Sequence, residues 1–157
     1  MFAVYDRADE LRLRAHIDAF ATAATATGYT WTLVDLTDEF PRWLASQEYR
    51  DAYFESPGEL AGYPVGQIEG FADHLGDVIT TTLKTHSGPN DVVALLGVGA
   101  LFGLARVSTL VESIKHDIGG RLLVLFPGEY HPNDNSYRLL GARDGWNYLA
   151  HPLVVTE

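Results

Sequence analysis

Two stretches decide the fold: Asp91-Val92-Val93-Ala94-Leu95-Leu96 and Arg121-Leu122-Leu123-Val124-Leu125-Phe126. Each is a short continuous apolar run rather than an alternating one. The first follows Ser87-Gly88-Pro89-Asn90 and the second follows Gly119-Gly120, both turn-forming clusters. A run of this length bounded by such signals fits a strand covered on both faces, as in a parallel sheet. Parallel strands need crossover connections, so helical patterns should lie between them.

Working outward, those patterns are present. Phe2-Ala3-Val4-Tyr5 reads as a short strand, and Asp6 or Asp9 is placed to cap the helix after it. Leu13, Ile17, Phe20, Ala21 and Ala24 share one helical face, and Gly28 is a stop signal. Trp31 to Leu36 then reads as a strand, completing a β-α-β unit with a right-handed crossover. A second helical pattern runs from Phe40 to Phe54, and a third from Val65 to Leu83. A further helix is expected from Phe102 to His116. Shorter closing strands are expected over 136–140 and 147–155, the last at an edge or broken because of Pro152. The expected architecture is a three-layer α/β fold with a mostly parallel sheet and helices on both faces, Rossmann-like or degenerate P-loop-like. Residues 1–157 read as a single domain.

Bulk properties exclude several function classes. The chain has no cysteine, so thiolate catalysis and cysteine-ligated zinc are out, and a reducing cytoplasm is the expected setting. The first residues lack the basic and apolar regions of a signal peptide. The apolar runs fall short of the ~20 residues a membrane span needs, so no membrane association is expected. Eleven basic against 21 acidic side chains give a net charge of −10, which repels phosphate backbones, so direct nucleic-acid binding is not expected.

In open α/β sheets ligands bind beyond the carboxyl ends of strands. After residues 2–5 there is no glycine-rich turn, and no GxxxxGK[ST] motif occurs anywhere. Gly97 and Gly99 form a G-x-G after the strand 91–96, read here as a tight strand-to-helix turn. Glu129, His131 and Asp134 follow the strand 121–126. They offer acid–base or metal-ligating groups, but the segment 127–134 is read as a structural turn with Gly128 supplying a permissive angle. Arg106 interrupts an apolar helical pattern and is expected to be buried or groove-lining, braced by Glu129. His16 and His74 are expected on polar helix faces, solvated.

Four blocks in register carry a resemblance. Leu96-Gly97-Val98-Gly99-Ala100-Leu101-Phe102 with Arg106 fits a G-x-G-A-[LV]-[FY]-x3-R block, and Leu123-Val124-Leu125-Phe126-Pro127-Gly128-Glu129-Tyr130 carries the P-G-E-Y of a second block. Tyr137-Arg138-Leu139-Leu140-Gly141 and Asp144-Gly145-Trp146-Asn147-Tyr148 supply the other two. Together they resemble the BrxB family of BREX phage-exclusion systems. Leu140 departs from the family's usual Phe, and Leu149 from a common second aromatic. The resemblance implies a cytoplasmic, non-catalytic component that acts in assembly, with a PglZ-type protein bearing an alkaline-phosphatase-like domain as leading partner. It implies no catalytic residue and no cofactor. Gly97, Gly99, Arg106, Pro127, Gly128, Glu129, Tyr130, Arg138, Asn147 and Tyr148 are the candidate structural or interaction positions. The alternative is a small ligand-binding or catalytic domain, taking nucleotide, phosphate or metal at the strand-end loops 97–103 and 127–134.

Overall fold

The computed structural model describes residues 1–48, 50–58, 68, 70–141, 146–147 and 151–154. Five parallel strands form the sheet: β1 (Phe2–Tyr5), β2 (Thr30–Asp35), β3 (Asp91–Leu96), β4 (Arg121–His131) and β7 (Pro152–Val154), in the order β2-β3-β4-β1-β7. This is neither the Rossmann order 3-2-1-4-5-6 nor the flavodoxin order 2-1-3-4-5. The first strand lies between the fourth and the last. β5 (Ser136–Leu139) folds back antiparallel on the far half of β4, and β6 (Trp146–Asn147) pairs with β5.

The helices divide between the two faces. α1 (Glu10–Ala15) and α2 (Ile17–Ala26) connect β1 to β2, and Leu13 and Ile17 pack on Val92, Ala94, Leu96, Leu123 and Leu125. α5 (Phe71–Thr85) and α6 (Val107–Ile114) cover the opposite face. Leu75, Ile79, Leu83, Leu110 and Ile114 pack there on Val93, Leu95, Val124 and Phe126. The β1-to-β2 connection runs one way across the sheet on one face. The β2-to-β3 and β3-to-β4 connections run back on the other face, which keeps every crossover the same hand. β3 is buried on both sides because it meets both layers, and this is why its sequence is continuously apolar.

Three expectations need correction. The helix expected from Phe40 to Phe54 is two, α3 (Glu39–Ala45) and α4 (Arg50–Glu55). The helix expected from Phe102 begins only at Val107. Phe102 is extended, Gly103 has φ +80°, and the apolar rhythm there belongs to a 3-10 turn, Val98–Leu101, that buries Val98 and Leu101. Residues 127–131 are strand, not turn: β4 continues to His131, and the reversal lies at 132–135 with Asn135 at φ 52°. Gly128 therefore serves a different purpose from the one expected. Its φ is not positive. A Cβ on it would drive into the Arg138 carbonyl oxygen, with the carbonyl carbon at 3.0 Å and Phe126 Cε1 at 3.1 Å. Glycine is required because β5 approaches too closely for a side chain.

That approach closes the core at one end. Tyr137 of β5 is fully buried, with ring centroids 5.0 Å from Phe2, 5.8 Å from Phe126 and 4.8 Å from Tyr130.

Candidate functional site

The carboxyl ends of β1 to β4 open into one cleft of about 330 Å³, lined by Arg7, Glu10, Arg14, Thr37, Gly97, Gly99, Ala100, Pro127 and Leu140. The chain leaves β1 toward one layer and β3 toward the other, the arrangement that opens a crevice at strand ends in α/β sheets.

A polar network fills one wall. The Tyr5 hydroxyl donates to Glu10 Oε2, and Arg14 Nε donates to Glu10 Oε1 at 2.7 Å. Arg14 reaches on to Asp35 Oδ2 at 3.2 Å and Thr37 Oγ1 at 2.7 Å. Asp35 Oδ1 accepts from both the backbone N–H, at 3.0 Å, and the hydroxyl of Thr37. Glu10 and Arg14 stand four apart on α1, so they meet on one helix face. Arg14 in turn joins α1 to the end of β2, which β3 and β4 separate from β1 in the sheet.

The network sets the ionisation of its members. Burial alone would lower the Arg14 guanidinium, but bonding to Glu10 and the charges of Glu10 and Asp35 hold it above its ordinary value. Burial would raise the Asp35 carboxyl, yet the two bonds from Thr37 and the charge of Arg14 keep it below the usual carboxylate value. Burial, followed by the bond to Glu10, pushes the Tyr5 phenol far above its ordinary range. At neutral pH the wall therefore holds a neutral phenol, a charged guanidinium and an ionised Asp35.

The first turn after β1 caps itself. Asp6 Oδ1 accepts from Ala8 N at 2.8 Å, and Asp6 O accepts from Asp9 N at 2.9 Å. Asp6 is thus the capping residue of the two expected. Asp9 and Glu10 add negative charge to the same turn.

Gly97 and Gly99 do line the cleft. Gly97 has φ +80°, and a Cβ there would meet Thr37 N at 2.8 Å and Asp35 Oδ1 at 2.9 Å. Its absence of a side chain lets the Asp35–Thr37 turn seat against it. A Cβ on Gly99 would lie 3.2 Å from Pro127 Cγ and 3.6 Å from Leu140 Cδ2. Pro127 is buried, and its carbonyl accepts from Leu140 N at 2.9 Å. Leu140 holds φ 55°, and its own carbonyl accepts from Arg7 Nη1 at 3.0 Å. The G-x-G and Pro-Gly-Glu-Tyr segments are therefore interlocked at the cleft floor.

The other expected positions are dispersed. Arg106 is exposed and extended, capping α6 rather than lying within it, so the expectation of a buried helical arginine is not met. Glu129 is exposed and pairs with His131 Nε2 at 3.2 Å. Asp134 caps the reversal, accepting from the Ser136 hydroxyl at 2.7 Å, so the three side chains do not converge. Among the described residues no group of three His, Asp or Glu is placed to hold a metal. Tyr130 donates to Asn135 Oδ1 at 3.0 Å. Arg138 faces Glu129 across the β4–β5 ladder, and its buried Nε has no hydrogen-bond partner among the described residues. Asn147 pairs with Ser136 through the β6 backbone, and Tyr148 lies outside the described residues. His16 is exposed as expected. His74 instead bonds the buried Glu39 carboxylate at 3.0 Å.

Sequence reasoning missed Tyr5, Glu10, Arg14, Asp35 and Thr37. The Glu10–Arg14 spacing was a visible signal, as was the position of Asp35 at the end of an apolar strand.

No helix among the described residues is long and apolar enough to cross a membrane. No curated protein and no solved structure matches the chain. The family model described as BREX protein BrxB matches residues 47–151. That span takes in β3, β4, β5 and β6, together with both interlocked segments of the cleft floor. It covers well over half of the 157 residues, and the chain belongs to the BrxB family.

Proposed function

We propose that this component of a BREX phage-defence system is a non-catalytic assembly subunit that works in the cytoplasm, and that its principal partner is the PglZ-type protein of the system. The supporting observation is the state of the first turn after β1. In a P-loop-like sheet this turn presents backbone N–H groups to phosphate. Here Asp6 already occupies those donors, and Asp9 and Glu10 add repulsion toward an anion. Arg14, a half-buried cation of the same cleft, is engaged by two carboxylates and a hydroxyl of the chain itself. A corner satisfied internally serves to hold the fold rather than to turn over a substrate.

Affinity capture of the full chain from cells carrying the whole operon tests this. The PglZ-type protein is the expected co-purifying species. Recovery of no other defence component refutes the assembly role, and recovery of other components without the PglZ-type protein refutes the choice of partner.

The second reading, a ligand-binding or catalytic domain, draws on the fact that Gly97, Gly99 and Pro127 line one cleft. A ligand at a hundred times its Kd stabilises by about 2.7 kcal/mol, which is a melting shift of roughly 5–11 °C for a chain of this size. Thermal shifts with nucleotides, phosphate and divalent cations are expected to stay flat. A shift of that size would favour the second reading.

A further inference from the structure

Among the described residues the outer edge of β2 is open. Thr30 N donates to Asn90 O at 3.1 Å and Leu36 N to Leu96 O at 2.9 Å, so the even-numbered residues turn their peptide groups toward β3. By strand alternation the N–H and C=O groups of Trp31, Leu33 and Asp35 point away from the sheet. Among the described residues no strand lies beyond β2.

Edge strands are normally blunted by shortness, proline, lysine or a bulge. The opposite edge follows this rule: β7 is three residues long and begins with Pro152. β2 does not. It has six residues, Thr-Trp-Thr-Leu-Val-Asp, and its register with β3 runs from Thr30 to Asp35 without a bulge. Its single charge, Asp35, is held by Arg14 and Thr37. Beside the open peptide groups, Leu33 is 37% exposed, as is Phe20, whose ring stacks on Trp31 at 6.1 Å.

We propose that the β2 edge accepts an extended, net-basic segment of a partner protein as an added strand. The peptide groups of Trp31, Leu33 and Asp35 supply the hydrogen bonds, and the Leu33–Phe20 corner takes an apolar side chain. Charge selects the occupant. A second copy would bring two chains of net charge −10 edge to edge, whereas a basic segment is drawn to a chain of that charge. The identity of the partner rests on the assembly role proposed above; the edge itself does not.

The test is capture of the PglZ-type protein from cells carrying the whole operon, with wild type, Leu33→Pro, Leu33→Lys and Leu11→Lys compared. Proline at residue 33 removes an outward N–H and no bond to β3. Should Leu33→Pro fail to fold, Leu33→Lys carries the comparison. Leu11, 81% exposed on α1, controls for general loss of surface apolarity. The expected result is at least tenfold less capture by both substitutions at residue 33 and unchanged capture by Leu11→Lys. Hydrogen exchange on the recovered complex should show protection at residues 31, 33 and 35. Capture undiminished by the residue-33 substitutions overturns the edge and leaves the assembly role standing. A wild type that captures no defence component overturns the assembly role and the partner named here with it. A wild-type dimer in light scattering that Leu33→Pro converts to monomer overturns the basic partner in favour of a second copy. A protected partner segment of net negative charge likewise overturns the charge argument.

Discussion

Substituting Gly128 by Ala isolates the close approach of β4 and β5. Because Gly128 lacks a positive φ, an added methyl meets no backbone penalty and all of its cost is steric. The obstacle is the Arg138 carbonyl, part of a paired strand, with Phe126 Cε1 behind it at 3.1 Å. Neither can rotate aside as a flexible side chain would. Relief requires β5 to lift from β4, stretching the neighbouring ladder bonds and loosening Tyr137, which is fully buried. Overpacking costs about 1–3 kcal/mol, and weakening one or two hydrogen bonds adds roughly 0.5–1.5 kcal/mol for each. A total of about 3 kcal/mol lowers the melting temperature by roughly 6–12 °C in a chain of this size. Gly103→Ala is the matched control. Gly103 has φ +80° but nothing within 4 Å of its would-be Cβ, so its cost is conformational alone, about 1 kcal/mol. Calorimetric melts of wild type and both substitutions decide the matter. A Gly128→Ala melt within about 3 °C of wild type, or one matched by Gly103→Ala, refutes the steric account.

Arg14→Ala leaves Glu10 and Asp35 without their shared cation. An urea titration should show a loss of about 1–2 kcal/mol, below the 3–5 kcal/mol of a fully buried pair because water reaches these side chains. Asp35 gives a pH dependence. Its folded pKa lies below the unfolded value of about 3.9, so its contribution is present above that pH and is lost as pH falls through the folded pKa. Asp35→Asn should therefore flatten the fall in stability below about pH 4, measured by urea midpoints across acid pH; an unchanged slope would contradict the ion-pair assignment. Tyr5 works in the opposite direction, since its folded pKa is raised. Alkaline titration followed by ultraviolet absorbance should show two tyrosines, Tyr5 and Tyr137, ionising late, and Tyr5→Phe should remove one of the two. Tyr137→Ala should cost about 3–5 kcal/mol as a buried aromatic truncation, read from the same denaturant curves.

The parallel strands were legible because burial on both faces writes itself as an uninterrupted apolar run. Residues 91–96 match β3 end for end, and residues 2–5 match β1. The elements that escaped did so for local physical reasons. Val98 and Leu101 sit three apart and bury together, which imitates the start of an α-helix, but Gly103 and the extended Arg106 delay the helix to Val107. Pro127-Gly128 carries the composition of a turn. Within β4, however, the proline stands where the strand leaves the parallel sheet, and the glycine where β5 presses closest. The Glu10–Arg14 half of the polar network was readable from spacing on one helix. Its closure on Asp35 was not, because it depends on a strand order that places β3 and β4 between β1 and β2.

The positions of the family's blocks in space bear on what those blocks are for. Gly99, Pro127 and Leu140 come from three of the four blocks and meet at the cleft floor, with Pro127 accepting from Leu140 and Arg7 closing over it. Glu129 and Arg138 face each other on the hairpin that this contact anchors, as do Tyr130 and Tyr137, whose tilted rings are 4.8 Å apart. The contacts of Gly99, Pro127, Leu140 and Arg7 join the antiparallel extension to the ends of the parallel strands. None of them places two reactive groups around a common point. A left-handed Leu140 costs of order 1 kcal/mol or more, and here it is held between the Pro127 carbonyl and Arg7. Among the described residues, the blocks therefore mount a hairpin on the ends of the parallel strands.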